Sequence, residues 1–492
     1  MDAEFSIETF SKEGYGVGFF EDKKIKVAHA FPGDLIKAEL CKKKKRGAYK
    51  GRLKEIVQPS SDRVAPKCKH ANMCGGCKLS QFSYPAQLAY KEKLLKKTFS
   101  DFPEVKISPI IPSEEWGYRG KMEFTFSENR AGTKFLGLMI AAAGRYVFNV
   151  EECYLTSSWV AALLNQVRAF WEESSLHAFN PLLGKGFLRY LTFRETKRTG
   201  QKMVILTILD QNEEPFEEKD KQKFIEIVGA AASYQAVKKE VKEEAFEKEE
   251  PINFILRTQK SQKGVPTFFE EEVLLGKGFM EEELLIENKS TLSEKKDLLV
   301  TNSDQKIAKP MTIKFKISPA SFFQPNPLQA EKLYSKALEI AEVNNEMRVL
   351  DLYAGSAALG MVFAPFVKEV TCIEENPAAV LDAQKNIALN NFSNISVYEG
   401  DVGKVLKELD VLKSPDLVIV DPPRAGLDPL ALENIVSLAP QKILYISCNI
   451  ETQQKNILEL ASKGYVLKVL QPVDQFPQTL HLENIALLNR KK

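Results

Sequence analysis

Three things are scarce in this chain of 492 residues. The first is a long apolar run. No stretch reaches the ~20 residues that a membrane-spanning helix needs. The opening MDAEFSIETFSKEGYG also has no apolar core of the kind a secretory leader carries. A soluble, cytoplasmic protein without a membrane partner is expected. The second is net charge: 68 Lys and Arg oppose 66 Asp and Glu, for a balance of +2. That excludes nucleic-acid binding through bulk charge and leaves only local patches. The third is cysteine. There are seven, at 41, 68, 74, 77, 153, 372 and 448. An odd count with no leader argues against a disulfide framework, leaving reduced thiols, a metal site or catalysis.

What is present is unevenly arranged. The length suits roughly three domains of about 150 residues, and 44% hydrophobic content allows large cores. Residues 1–66 carry 14 Lys and Arg against 10 Asp and Glu, whereas 213–250 carry 7 against 12. The first 60 residues read as short alternating runs (FSIETF, KIKVAHAF, LIKAEL, LKEIV) broken by Gly and Pro-Gly, the pattern of a small β-barrel. Within them lies KKKKRGAYKGR, Lys42 to Arg52, a cationic loop suited to phosphate contact. After CKHANMCGGC and the helical PAQLAYKEKLLKKTF, strand-like runs with helices fill about 113–210. Residues 211–250 are Glu- and Lys-rich, and 240–310 are polar and patchily apolar, so loops or a peripheral elaboration are expected there. From about 327, helical and short apolar segments alternate (RVLDLY, EVTCIE, DLVIVD, KILYIS), which predicts a doubly wound α/β sheet. Ligands of such sheets sit beyond the C-terminal ends of the strands.

Four constellations stand out. DLYAGSAALG, 351–360, is a strand-to-helix turn whose glycines allow close backbone approach to a ligand, and Glu374 ends the next strand, where an acid often takes ribose hydroxyls. DPPRAG, 421–426, is a stiff turn that immobilises Asp421 at a strand end. Cys68, Cys74 and Cys77, with Cys153 downstream, suit an iron–sulfur cluster or a structural zinc. FPQTLHLEN, 476–484, brings His481 and Glu483, both fit for proton chemistry, to the start of the last strand. A fifth feature is Cys448 in YISCN: a lone cysteine is most often core filling, but this one stands where a buried strand ends.

These segments together resemble the RNA (uracil-5-)-methyltransferases that use S-adenosylmethionine. The similarity covers nearly the whole chain except about 211–300. The N-terminal part looks like a TRAM domain, and PKCKHANMCGGCKLSQFSYPAQLAYK resembles the family's cluster segment. WGYRGKMEFTF and LRYLTFR resemble its central domain. ISPASFFQPN, DLYAGSAALG, VIVDPPRAG, YISCN and FPQTLHLE then follow in the family's order. The resemblance implies a multidomain α/β chain. Its parts are an OB-like TRAM barrel at 1–62, a central α+β iron–sulfur and RNA-binding domain at 63–312 with a charged insertion near 211–300, and a Rossmann-like methyltransferase sheet at 313–492. It also implies a [4Fe-4S] cluster on Cys68, Cys74, Cys77 and Cys153.

The chemistry makes sense of the motifs. Carbon 5 of uracil is a poor nucleophile until a thiolate adds at carbon 6, and a base must afterwards take the proton from carbon 5. By the resemblance Cys448 is that nucleophile and Glu483 that base. Gln324, Tyr353, Glu374, Asp401 and Asp421 line the cofactor and target site, with Asp421 a candidate to orient the uracil. Arg119 and Arg424 are candidates for RNA contact, and the target uridine is splayed out of its stack. The implied partner is RNA, 23S rRNA before tRNA, and the protein is expected to be a monomer. One departure bears on cofactor affinity: the family reads DLYCGxGxxG, but here Ala354, Ala357 and Ala358 replace the cysteine, the second glycine and a polar residue. Alanine is strained where a turn needs positive φ. The competing class is a non-catalytic RNA-binding or RNA-folding protein on the same scaffold. An amino-group methyltransferase using the DPP turn has no use for Cys448.

Overall fold

The structure is a computed structural model; it describes residues 2–41, 49–141, 146–210, 216–232, 252–260, 267–287, 309–408 and 415–491. Strands β1 (Asp2–Phe10), β2 (Gly16–Phe20), β3 (Lys23–Val27), β4 (Leu35–Cys41) and β5 (Tyr49–Gln58) close into a barrel in the order β1-β2-β3-β5-β4. Ala3, Phe5 and Ile7 of β1 point inward and meet Ile25, Val27, Ile36 and Ala38, while Asp2, Glu4 and Ser6 face solvent. This is the two-residue period of a strand with one buried face. Closure leaves no free strand edge. The buried Asp34 carboxylate accepts from the Phe31 and Ser60 amides and pairs with Arg63 at 2.6 Å, fastening the barrel to the segment that leaves it. Of the cationic loop, residues 42–48 lie outside the described residues.

Helix α1 (Tyr84–Thr98) and the two-residue β6 (Lys106–Ile107) do not join the middle of the molecule. β6 pairs in parallel at the edge of the C-terminal sheet. The central sheet is made of β7 (Lys121–Glu128), β8 (Lys134–Met139), β9 (Val147–Asn149), β10 (Leu188–Glu195), β11 (Lys202–Leu209), β12 (Asn253–Lys260) and β13 (Phe268–Leu275). Its order is β13-β12-β11-β10-β7-β8-β9. Helices α2 (Ser158–Glu173) and α3 (Glu218–Ala232) pack on it through Trp159, Trp171 and Phe224.

The expectation of loops over 240–310 is corrected here. β12 lies parallel to β11 inside the sheet, with Ile252, Phe254, Ile255 and Leu256 buried. A three-residue apolar run, Phe254 to Leu256, between Asn253 and Arg257 is too short to declare a strand by periodicity; its neighbours in space supply the reason to bury it. Further on, β14 (Met280–Ile286) and β15 (Met311–Ile317) form an antiparallel pair.

The C-terminal sheet follows. Its elements are α4 (Pro327–Ala341), β16 (Arg348–Leu352), α5 (Ala358–Phe363), β17 (Glu369–Glu374), α6 (Pro377–Leu389), β18 (Ile395–Glu399), α7 (Val402–Glu408), β19 (Leu417–Val420), α8 (Pro429–Leu438), β20 (Lys442–Ser447), α9 (Ile450–Ser462), β21 (Tyr465–Val473) and β22 (Glu483–Arg490). The order is β18-β17-β16-β19-β20-β22-β21-β6, with β16 to β20 parallel and β22 inserted antiparallel. Successive strand residues alternate between two cores. Val349, Ile419, Leu444 and Ile485 face one layer of helices; Leu350, Val418, Ile443 and Ala486 face the other. Helices α4, α6 and α8 start with an Asn or Asp cap followed by proline (Asn326, Asn376, Asp428), an arrangement that satisfies free amides and presets φ. The strand order turns at β16 and β19, and a crevice opens beyond the strand ends there. Among the described residues no helix is long and apolar enough to cross a membrane.

Candidate active site

The sheet delivers its functional side chains to one edge. Leu352 of β16 pairs with Ile373 of β17 and with Val420 of β19, so Tyr353, Glu374 and Asp421 emerge side by side. β22 runs the other way, so its first residue lies at the same edge. Ser447 pairs with Asn484, and Cys448 and Glu483 are the next residues outward on the two strands, near enough for the Glu483 charge to act on the thiol. Chain segments more than thirty residues apart thus meet because of register alone.

Electrostatics follow from that meeting. Glu483 is buried, and desolvation followed by the Asp421 charge pushes its carboxyl up to about 8, partly opposed by Arg424. Burial raises Asp421 to about 7. The Cys448 thiol is pushed up by desolvation and by Glu483, while a hydrogen bond from Arg424 favours the thiolate. Arg424 is itself held from three sides. Asn449 Nδ2 and Thr452 Oγ1 donate to its carbonyl at 3.0 and 3.2 Å, and its Nη2 lies 2.9 Å from His481 Nδ1. Arginine has no acceptor, so Nδ1 contributes its lone pair. Partial desolvation and the Arg424 charge bring His481 down to about 4, which leaves it neutral at pH 7.

The loop between β21 and β22, which leads into Glu483, is clasped by polar contacts that are buried. Lys91 of α1 pairs with Asp474 at 2.6 Å, both side chains fully enclosed. One turn earlier on the same helix face, Gln87 exchanges two bonds with Gln478 and donates to the carbonyls of Leu79 and Phe82. Tyr118 donates to the Pro477 carbonyl, and Gln475 and Asn326 hold each other's backbone.

The other half of the edge is a cavity lined by Phe322, Phe323, Gln324, Tyr353, Gly355 and Asp421, among others. Gln324 hydrogen-bonds the Tyr334 hydroxyl there. Glu374 accepts from the Gly355 amide and from Asn376, both at 2.8 Å, and so fixes the turn. Tyr353, Gly355 and Ala357 all have left-handed backbone, with φ of 61°, 56° and 60°. Ala357 is the position where strain was expected, and its methyl group is fully buried. A side chain at Gly360 would meet Cys372 Sγ at 2.7 Å, so this glycine is sterically required. Asp351 accepts from the Gly360 amide, burial pushes it up to about 7, and its Oδ1 has no protein partner. A cavity with an unpartnered buried carboxyl oxygen and the Glu374 carboxylate beside an open glycine turn fits a cationic, ribose-bearing ligand. Asp401 is placed differently: it is exposed and its Oδ1 accepts from the Lys404 amide, at the start of α7.

Cys68, Cys74, Cys77 and Cys153 lie close enough that ionisation of one opposes the others: Cys77 feels all three partners, and Cys153 feels Cys74 and Cys68. Burial is the larger cause and pushes Cys153 up to about 11. Backbone amides nevertheless point at the sulfurs, from His70 to Cys68, from Leu155 to Cys153 and from Gly76 to Cys74 at 3.3 Å. Four grouped thiols with inward amides suit a group that supplies positive charge. Among the described residues no three His, Cys, Asp or Glu groups are spaced to hold a metal ion.

A family model described as tRNA (uracil-5-)-methyltransferase matches residues 288–491. An uncharacterised RNA methyltransferase of Protochlamydia amoebophila is 38% identical over 468 residues, covering 94% of this chain and 99% of the relative. The chain belongs to the RNA (uracil-5-)-methyltransferase family. A second methyltransferase relative, from Caldanaerobacter subterraneus, is 32% identical over 492 residues, with 98% of each chain covered. The fold of this methyltransferase is also that of the Pyrococcus abyssi tRNA (uracil-54, C5)-methyltransferase, solved with S-adenosyl-L-homocysteine. That likeness has a TM-score of 0.69 at 24% identity, over 99% and 100% of the two chains.

In this methyltransferase the structure brings Gln324, Tyr353, Glu374, Asp421, Cys448 and Glu483 to one edge and leaves Asp401 at its rim. Sequence reasoning missed Asp351, the first residue of a motif it had quoted; a buried acid at the end of a central strand was the available signal. It also missed Lys91 and Gln87, which carry no signal in a lysine-rich helix.

Proposed function

We propose that the enzyme methylates carbon 5 of a specific uridine in RNA with S-adenosyl-L-methionine as donor, through a covalent bond between Cys448 and the uracil. The observation that carries the reading is the β20–β22 register, which brings a half-buried thiol near a buried carboxyl next to Asp421. The Cys448 sulfur attacks carbon 6, helped by Arg424, and the electron pair of the double bond moves so that carbon 5 becomes nucleophilic. S-adenosylmethionine, when bound, supplies an electrophilic methyl group on a sulfonium. Gln324, Tyr353, Glu374 and Asp421 would hold it, with Asp401 at the rim and Asp351 offering its free oxygen. Glu483, as the carboxylate, takes the proton from carbon 5. The returning electron pair restores the double bond and expels the thiolate. Asp421 also suits orientation of the uracil.

The same reading assigns the N-terminal barrel as a TRAM-type RNA-binding domain and the C-terminal sheet as Rossmann-like. It gives Cys68, Cys74, Cys77 and Cys153 a [4Fe-4S] cluster with a structural or RNA-positioning part. We favour 23S rRNA over tRNA because the barrel and the cysteine segment resemble the ribosomal RNA enzymes. A non-catalytic RNA-binding protein is the second reading, and only the alanine-bearing turn favours it. Anaerobically purified protein, labelled S-adenosylmethionine, unmodified tRNA and deproteinised rRNA test all of this. Labelled 5-methyluridine in rRNA alone is expected. Label in tRNA alone would reverse the RNA assignment. No label together with no calorimetric S-adenosylmethionine binding would establish the second reading.

A further inference from the structure

Beside the cysteine segment lies a feature that the methyl-transfer chemistry does not use. Lys67 Nζ stands 5.2 Å from the Trp116 ring centre and 4.9 Å from that of Tyr154, and the two rings meet edge to face at 6.3 Å. Three separate segments converge to build this group. It is not core: Lys67 is exposed, Tyr154 is 37% exposed and Trp116 is half-buried. The other two tryptophans, Trp159 and Trp171, are 3% and 0% exposed. A large aromatic pair left at the surface forgoes the burial that would otherwise stabilise it. The backbone here is firm, because the Gly117 and Arg119 amides donate to the Tyr154 and Leu155 carbonyls, both at 2.8 Å. Gly117 is left-handed, with open space where a side chain would be.

The group is also tied to the active site. Glu115 accepts from Gln478 at 3.4 Å, and Tyr118 donates to Pro477, so the segment carrying Trp116 grips the loop that leads to Glu483. Arg119 projects its charge on both Cys77 and His481, so it lies near the cysteine group and near the reacting edge. Among the described residues no carboxylate pairs with Arg119. A partly exposed edge-to-face aromatic pair, an exposed ammonium and the Arg119 guanidinium, held by Nε to the Lys121 carbonyl at 3.0 Å, match the chemistry of single-stranded nucleic acid, whose bases stack and whose phosphates seek cations.

We infer that Trp116 and Tyr154, with the Lys67 ammonium over one face of each ring, form a stacking subsite for an unpaired nucleobase of the RNA flanking the target uridine, and that Arg119 takes a phosphate between that base and the target. The inference rests on the reading of RNA as substrate. A uridine pulled from its stack leaves its neighbours unstacked as well, and a platform for one of them offsets part of that loss.

The test is tryptophan emission of the full chain titrated with a short single-stranded RNA of mixed sequence, with anisotropy of the same end-labelled RNA measured in parallel. Expected is a saturable fall in emission with the same midpoint as the anisotropy change. Trp116→Phe should remove the fall yet keep affinity within roughly threefold, since phenylalanine still stacks. Trp116→Ala with Tyr154→Ala should weaken binding by roughly tenfold at unchanged salt slope, and Lys67→Gln should lower that slope by about one. Anisotropy that reports binding while emission stays constant would overturn the subsite and leave the RNA reading standing. Absence of any anisotropy change would overturn both.

Discussion

Two halves of one sheet edge are held in different ways. Around Cys448 and Glu483 the chain is fixed by partners from distant segments, two pairs of them buried, Lys91 on Asp474 and Gln87 on Gln478, and one group at the surface, Asn449 and Thr452 on the Arg424 carbonyl. Around Tyr353 to Gly360 the backbone itself makes the shape, with three left-handed residues in five, and Glu374, Asp351 and Asp428 brace it. The buried pairs of the reacting half tolerate no missing group, because each member is enclosed against the other. The cradle half stores modest strain at an alanine and adapts by degrees. An enzyme that must place a thiol within bonding reach of a base needs the first kind of support; a pocket for a flexible ligand functions with the second.

The contrast is broken most severely at Cys448, the proposed nucleophile. Cys448→Ala is expected to lower methyl transfer by at least about a thousandfold while calorimetric binding of S-adenosylmethionine stays unchanged. Loss of binding as well would merge the two halves into one. Next comes the buried pair. Lys91→Met leaves Asp474 enclosed without its cation and should destabilise the fold by about 3–5 kcal/mol, read from denaturant midpoints at constant slope. An effect under about 1 kcal/mol would show that the loop is not held there.

Glu483 gives a smaller effect with a definite sign. Its folded value of about 8 lies above the ordinary 4.5. At pH below about 4.5 both folded and unfolded chains keep the proton and nothing is lost. Between about 4.5 and 8 the unfolded chain ionises while the folded one does not, so stability falls as pH rises. Glu483→Gln removes that dependence and should raise stability at pH 8 by about 2–4 kcal/mol, and by nothing near pH 4. Equal Tm gains at both pH values would mean that packing, not ionisation, is responsible. In the wild-type enzyme, transfer rates should climb with pH toward about 8 as the base loses its proton.

The smallest effect belongs to the turn. Ala357→Gly relieves the left-handed strain but removes a buried methyl group and frees the unfolded chain, so a net change within about 1 kcal/mol is expected. Ala357→Val should cost more than about 2 kcal/mol, since a β-branched residue resists positive φ. Thermal melts of the two variants check the ordering, and a harmless valine would contradict the left-handed backbone.

The same division governs how much was readable beforehand. Strand ends with motifs were legible: Asp421 behind two prolines, Glu374 closing EVTCIE and Cys448 after KILYIS all stand where the alternation of segments placed them. Ala357 was legible too, because a turn that wants positive φ reveals an alanine as strained. Lys91 and Gln87 were not, since a buried cation in KEKLLKK looks like any solvated lysine until its partner, nearly four hundred residues later, is known. Strand β12 was hidden for a related reason: NFIL gains its burial from strands β11 and β13, not from its own pattern. Asp401 matched a motif, yet it braces its own helix at the rim of the site.

The central claim is the covalent bond between Cys448 and uracil, with Glu483 as the base that ends it. Its most direct test is mass spectrometry of Glu483→Gln protein after incubation with S-adenosylmethionine and the RNA that the wild-type enzyme methylates. The account predicts a peptide spanning Cys448 that carries a methylated nucleotide, stable because the proton on carbon 5 has no acceptor. Free Cys448 in every peptide, alongside 5-methyluridine formed at the wild-type rate, would contradict it.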